Sequence, residues 1–233
     1  TFDVERAISI AALERAMETD QDIFLVTQRE IGTAEPGEAD LYEIGTVSHI
    51  SHLLRMGSTV RCVVEGSQRA RLKRLWQTTP YLQANVEAIP EETYSEAFQR
   101  SPRTEALLRQ TYTLFSEYAQ MAGGVPDEVL SAVMDSRDPG FLADYIAQNI
   151  SLRYTDKQEI LEEFSPYIRL RKLNGFLARE NNVLGFEHEM ESKVRDQLVR
   201  SQREQILRTQ IRVLQNELGE SEETETDELT AYR

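Results

Sequence analysis

The sequence predicts an α+β protein built in several units: a small twisted β-sheet or partial barrel, then an α-helical bundle, then one long extended helix. Three observations lead there. Short apolar or alternating runs recur at regular intervals up to Glu87, the apolar period changes to 3.6 residues after about Thr93, and no Gly or Pro interrupts the chain from Phe186 to Glu217. These changes set boundaries at 1–92 for the β-rich part, 93–178 for the bundle, 179–220 for the long helix and 221–233 for an acidic, disordered tail.

In the β-rich part, Ile8, Ala11, Ala12, Leu13, Ala16 and Met17 recur at helical spacing and predict a short amphipathic helix near residues 4 to 18. Ile23-Phe24-Leu25-Val26 is a short apolar run, the pattern of a buried strand, followed by the loop Gly32 to Gly37. Leu41 to Ile50, Thr59 to Glu65, Ala70 to Trp76 and Tyr81 to Glu87 are further strands, rich in Val, Ile, Tyr and Thr. Leu82, Ala84 and Val86 alternate with polar neighbours, so one face points inward. Met56-Gly57-Ser58 reads as a tight reversal.

In the bundle, Ser101-Pro102, Asp138-Pro139 and Ser165-Pro166 each set a capping side chain before a proline whose missing N–H costs nothing in a first turn. Thr155 with Gln158 has the form of a capping box, and Gly123-Gly124 ends the first long helix. Leu107, Leu108, Tyr112, Phe115, Tyr118 and Ala119 form one apolar stripe, and Phe141, Leu142, Tyr145 and Ile146 another. Four or five short helices are expected to pack together.

The uninterrupted run from Phe186 to Glu217 makes a helix of about 48 Å. Phe186, Met190, Val194 and Leu198 share one face, whereas Leu207, Ile211, Leu214 and Leu218 share another, turned by roughly 110° at 100° per residue. Arg200 to Gln205 carries no apolar side chain, so the middle is expected to be wet. Glu189 with Lys193, Glu191 with Arg195, Asp196 with Arg200 and Glu204 with Arg208 are acid-first i,i+4 pairs, each adding about 0.2–0.5 kcal/mol to an exposed helix. Leu207, Ile211, Leu214 and Leu218 also match an a/d seam, a candidate assembly surface over two heptads.

Composition narrows the function. Hydrophobic residues at 40% and charged residues at 28% suit a soluble globular chain, and no apolar stretch is long enough to cross a bilayer. One cysteine, Cys62, rules out an internal disulfide framework and suits a reducing compartment, with cytoplasm the expectation. The net charge of −14 opposes binding to a polyanion, because nucleic-acid affinity rests on Lys and Arg at phosphates. Glu220, Glu222, Glu223, Glu225, Asp227 and Glu228 crowd the tail, which reads as a solvated run.

Catalytic patterns are weak. Gly32 and Gly37 have the spacing of a phosphate-binding loop, but Glu38 stands where its lysine is needed. His49 and His52 lie in a strand, where an i,i+3 pair points to opposite faces and makes a poor metal site. Cys62, among Val60, Val63 and Val64, reads as a small core residue rather than a nucleophile. No catalytic, cofactor-binding or metal-ligating residue is assigned. Arg69, Arg71, Lys73 and Arg74 beside Trp76 form a basic patch; strand alternation makes Arg69, Arg71 and Lys73 one solvated face, and the charge balance favours that over a nucleic-acid platform. Tyr42, Met56, Trp76 and Tyr81 are candidate contacts for an unfolded polypeptide, since Met and large aromatics adapt to varied partners, although aromatics of a small sheet also serve as core.

The run Ser201 to Glu220 resembles the segment before the ATPase module of Lon, the ATP-dependent serine protease. Asp40-Leu41-Tyr42-Glu43-Ile44-Gly45-Thr46-Val47 and Val64-Glu65-Gly66-Ser67-Gln68-Arg69-Ala70-Arg71-Leu72 are similar to strand motifs of that family's amino-terminal domain. Asp138 to Asp144 and Thr155 to Glu162 are similar to its helical region, and the matches run in order from about Val4 to Glu220. Three departures stand out. The family usually opens with an apolar strand and a proline turn before the helix of Ile8 and Leu13; it often has two aromatics at Gln205 and Ile206; and its reversal at Met56-Gly57-Ser58 is longer.

The resemblance implies a PUA-like β domain, a helical bundle and a connecting helix that capture unfolded or damaged proteins for an ATPase ring and a Ser-Lys protease domain outside this chain. It also implies self-assembly, with a homohexameric parent, and leaves the fragment itself without catalysis or cofactor; ATP and Mg belong to the parent enzyme. The alternative is a free-standing PUA-like regulatory or ligand-binding module without protease activity. RNA binding through such a fold is disfavoured by the charge.

Overall fold

The computed structural model describes the backbone of residues 1–230 and the side chains of residues 1–214. Its first element is β1 (Phe2–Val4), which three residues of pattern do not reveal in the sequence. Then come α1 (Ala7–Met17), β2 (Asp22–Leu25), β3 (Ile44–Met56), β4 (Thr59–Gln77) and β5 (Gln83–Ala88), an antiparallel sheet in the order β1-β4-β3-β2 with β5 also on β4. α1 lays Leu13 and Ala16 onto Ile50, Val60 and Cys62, the core of this part. Gly57, at φ 66°, supplies the left-handed turn between β3 and β4, as the reversal predicts.

Two expected strands are one. Thr59–Glu65 and Ala70–Trp76 fuse into the 19-residue β4, because Gly66 and Ser67 form an irregularity in the ladder rather than a turn: Gly66 faces Ser48, Gln68 faces Val47, and Ser67 is the extra residue. A second irregularity makes Ser51 the extra residue of β3. It resets alternation, so that His49 and His52 are both exposed with buried Ile50 and half-buried Leu53 on the other face, contrary to the expectation of opposite faces.

The helical part comprises α2 (Glu96–Gln99), α3 (Pro102–Ala122), α4 (Asp127–Asp135), α5 (Pro139–Asn149), α6 (Tyr154–Leu161) and the start of α7 (Pro166–Thr230). Ser101 accepts from the Thr104 amide and Asp138 from those of Gly140 and Phe141, as the Ser-Pro and Asp-Pro signals predict. Gly123 closes α3 at φ 62°. Leu107, Leu108 and Phe115, Val133, Leu142 and Ile146, and Leu170, Leu173 and Leu177 form the buried core. Phe141, expected in a stripe, is 42% exposed and stacks on Tyr145 instead.

The capping box at Thr155 does not form. Arg153 occupies the N-cap, and Gln158 is buried, donating to the Ile44 carbonyl at 2.9 Å and to Glu162. A contact 114 positions away outweighs the local motif. Tyr154 Oη donates to the Arg29 carbonyl at 3.1 Å, so α6 is tied by two side chains to the β-rich part, one at β3 and one at the connection between β2 and β3.

Thr1–Arg179 forms one compact unit, and α7 from Glu180 onward forms a second. In the second, Phe186, Met190, Val194 and Leu198 and also Leu207, Ile211 and Leu214 are all at least half exposed, and Arg200 to Gln205 is exposed throughout. Lys193 donates to Glu189 and Arg208 to Glu204, each at 2.6 Å. The acidic run expected as a disordered tail is helical in backbone as far as Thr230, in keeping with the helix propensity of Glu and the absence of Pro. The Leu218 side chain and residues 231–233 lie outside what the structure describes.

Candidate functional site

β2 ends one side of the sheet, and β1 and β5 lie on the other, beyond β4. The sheet curls so that all three line one groove of about 820 Å³, floored in part by α1. Its apolar wall is only half covered: Ile23, Phe24 and Leu25 of β2 and Leu82 and Ala84 beside and within β5 are half-buried, while Phe2 and Val86 are exposed. Edge strands carry unpaired N–H and C=O groups on the side away from their partner, so a groove bordered by two sheet edges suits an extended chain.

Trp76 and Tyr81 both line this groove. β4 and β5 pair Leu75 with Ala84 and Gln77 with Gln83, which makes Trp76 an extra residue in the ladder. Such an irregularity re-aims a side chain, and Trp76 is left 55% exposed. Tyr81 follows the cis Thr79–Pro80 peptide, and its carbonyl accepts from Gln77 Nε2 at 3.1 Å.

The other two candidates lie elsewhere. Tyr42 is half-buried in a separate cavity of about 330 Å³, with the Arg29 guanidinium 4.9 Å from its ring centre. Met56 is exposed beside the turn between β3 and β4. The four candidates therefore occupy three places, and only Trp76 and Tyr81 come together. Sequence reasoning missed Phe2, Phe24 and Val86 as neighbours of that pair. The alternation at Leu82, Ala84 and Val86 was the available signal for one wall, but nothing local shows that β2 stands opposite.

The remaining sequence candidates resolve as follows. Cys62 is fully buried, and burial pushes its thiol up from the ordinary value, which disfavours the thiolate. His49 lies 3.0 Å from Asp22 on the surface. Among the described residues no group of three or more His, Cys, Asp or Glu is placed to hold a metal, and no helix is long and apolar enough to cross a membrane. The basic patch is not one solvated face: Arg69 turns toward the helical part, donating to the Leu161 carbonyl at 3.0 Å and to Asp144 at 2.6 Å, while Lys73 pairs with Glu87.

Comparison with known proteins agrees with this architecture. The family model for the ATP-dependent protease La (LON) substrate-binding domain matches residues 1–179. A Lon protease from Syntrophomonas wolfei is 39% identical over 227 residues, 97% of this chain and 27% of the relative. Lon protease 1 of Bacillus subtilis is 34% identical over 222 residues, 95% of this chain and 28% of the relative. This chain thus spans a little over a quarter of the curated relatives it matches. The N-terminal domain of a Mycobacterium avium complex Lon protease shares the fold, with a TM-score of 0.60 at 20% identity over 76% of this chain and 89% of that one. With an antiparallel sheet, a helical bundle and a family match across 179 residues, this chain belongs to the Lon substrate-binding domain family.

Proposed function

We propose that this region captures unfolded or damaged proteins and delivers them to an ATPase and protease ring carried elsewhere in its parent protein. The observation that carries the reading is the groove between the sheet edges, with Trp76 and Tyr81 both lining its half-covered apolar wall. An unfolded chain supplies what such a groove lacks: extended backbone to meet unpaired edges and apolar side chains to cover the wall. Weak contacts of this kind serve many clients, and several linked copies raise the effective concentration.

In this reading residues 1–92 capture, 93–178 form the platform, and 179–220 form a strut whose exposed Leu207, Ile211 and Leu214, continued in sequence by Leu218, meet other copies in a homohexamer. The acidic 221–233 segment keeps the surface soluble. This region takes no cofactor and performs no catalysis; ATP and Mg act in the parent's ring, in the cytoplasm. Nucleic acid is not a partner, given the charge of −14. The test is to crosslink the chain to an unfolded model protein and map the contacts. Contacts on β2, β5 and Trp76 support capture in the groove; contacts confined to α7 move the role to the strut.

A further inference from the structure

Four charged side chains from four segments meet where the sheet joins the helical part. Arg169, in the first turn of α7, is fully buried and reaches Asp144 of α5 at 2.9 Å and Glu91 of the β5–α2 connection at 2.8 Å through one nitrogen. Arg69 of β4 reaches the other Asp144 oxygen at 2.6 Å. The two guanidiniums also clamp the end of α6 and the connection that follows it: Arg69 donates to the Leu161 carbonyl, and Arg169 donates to those of Glu163 and Phe164.

We propose that this knot is an orientation lock, which fixes the angle between the sheet and the root of α7 while adding little net stability. Burying the Arg169 guanidinium costs desolvation that roughly offsets its attraction to the half-exposed Asp144 and Glu91 carboxylates, so a knot of this kind is a poor source of stability. Its geometry is demanding, however. A guanidinium offers planar, forked donors, and Asp144 is held by both of its oxygens, one to each arginine. Apolar contacts are non-directional and tolerate sliding. The knot draws on β4, the β5–α2 connection, α5 and α7 at once, so a tilt of the sheet stretches several charge-assisted bonds together. The lock would thereby hold the capture groove at a set attitude to α5 and the first turns of α7.

The experiment uses the full chain with Cys62→Ala and spin labels on cysteines placed at exposed Ser58 and Glu128, one in the turn between β3 and β4 and one on α4. Pulsed electron resonance then reads the distance distribution. Replacing the knot by apolar side chains (Arg69→Met, Asp144→Leu, Arg169→Met) is expected to broaden that distribution to about twice its width, with a melting midpoint within about 5 °C of the parent, as for apolar replacement of other buried ion sets. A distribution as narrow as the parent's in the folded variant overturns the proposal. So does a large fall in midpoint without broadening. If the triple variant does not fold, Asp144→Asn, which keeps shape and removes charge, is read in the same way: broadening supports the lock and an unchanged width overturns it.

Discussion

Arg169 and Asp144 lie 2.9 Å apart, yet only the arginine is out of water: its side chain is fully buried, whereas that of Asp144 is 45% exposed. Removal of either partner should therefore be unequal in cost. Asp144→Ala leaves a buried guanidinium with one carboxylate fewer and should cost about 3 kcal/mol. Arg169→Met leaves carboxylates that water can reach and should cost about 1 kcal/mol. Urea unfolding of both variants measures the difference, and equal costs would mean that Asp144 is more enclosed than its exposure indicates.

Gly45 sits where β3 passes close to β2. A Cβ there would collide with the Leu25 carbonyl oxygen and lie 2.6 Å from the Phe24 ring. The first of these is backbone, which cannot swing away. Gly45→Ala should destabilise the sheet by about 1–3 kcal/mol, the range of overpacking, and shift the β2 amides in an NMR spectrum before any others.

β1 has three residues, and Asp3 and Arg61 hold it with two hydrogen bonds at 2.7 and 2.8 Å. The Arg61 hydrogen bond keeps the Asp3 carboxyl below its ordinary value of 3.8. A lowered carboxylate adds stability above its unfolded value and loses it as pH falls through the folded one. Docking of β1 should thus be constant above about pH 5 and weaken below about pH 4. Hydrogen exchange of the β1 amides follows the change, and Asp3→Asn should remove the pH dependence.

Local chemistry was legible in the sequence. Ser101, Asp138 and Gly123 act within three residues of themselves, and their signals describe the helix ends that form. Alternation located the strands but not their continuity, because Gly66-Ser67 looks like a turn and is an irregularity opposite β3. The long-range pairings were not legible. Arg69 looked like one of a solvated row, yet its partner is 75 positions away. Gln158 looked like a cap, yet it serves Ile44 across 114 positions. At the candidate site the sequence supplied Trp76 and Tyr81 as residue types; their shared groove depends on the curl of the sheet, which no local pattern carries.

Trp76→Ser and Tyr81→Ser test the capture surface directly. Trp76 is 55% exposed, so its loss should move the melting midpoint little. Loss of either aromatic should weaken binding to an unfolded protein about tenfold, or about 1.4 kcal/mol. Tyr42→Ser, in the separate cavity, should leave that binding unchanged.

Trp76 is the single tryptophan of the chain, which makes it a built-in reporter of the groove. Titration of the full chain with an unfolded, tryptophan-free protein should move its emission to shorter wavelength as an extended segment covers the ring, with saturation matching the binding curve from an independent method. Saturated binding with unchanged Trp76 emission would place the client elsewhere on the molecule and contradict capture in the groove.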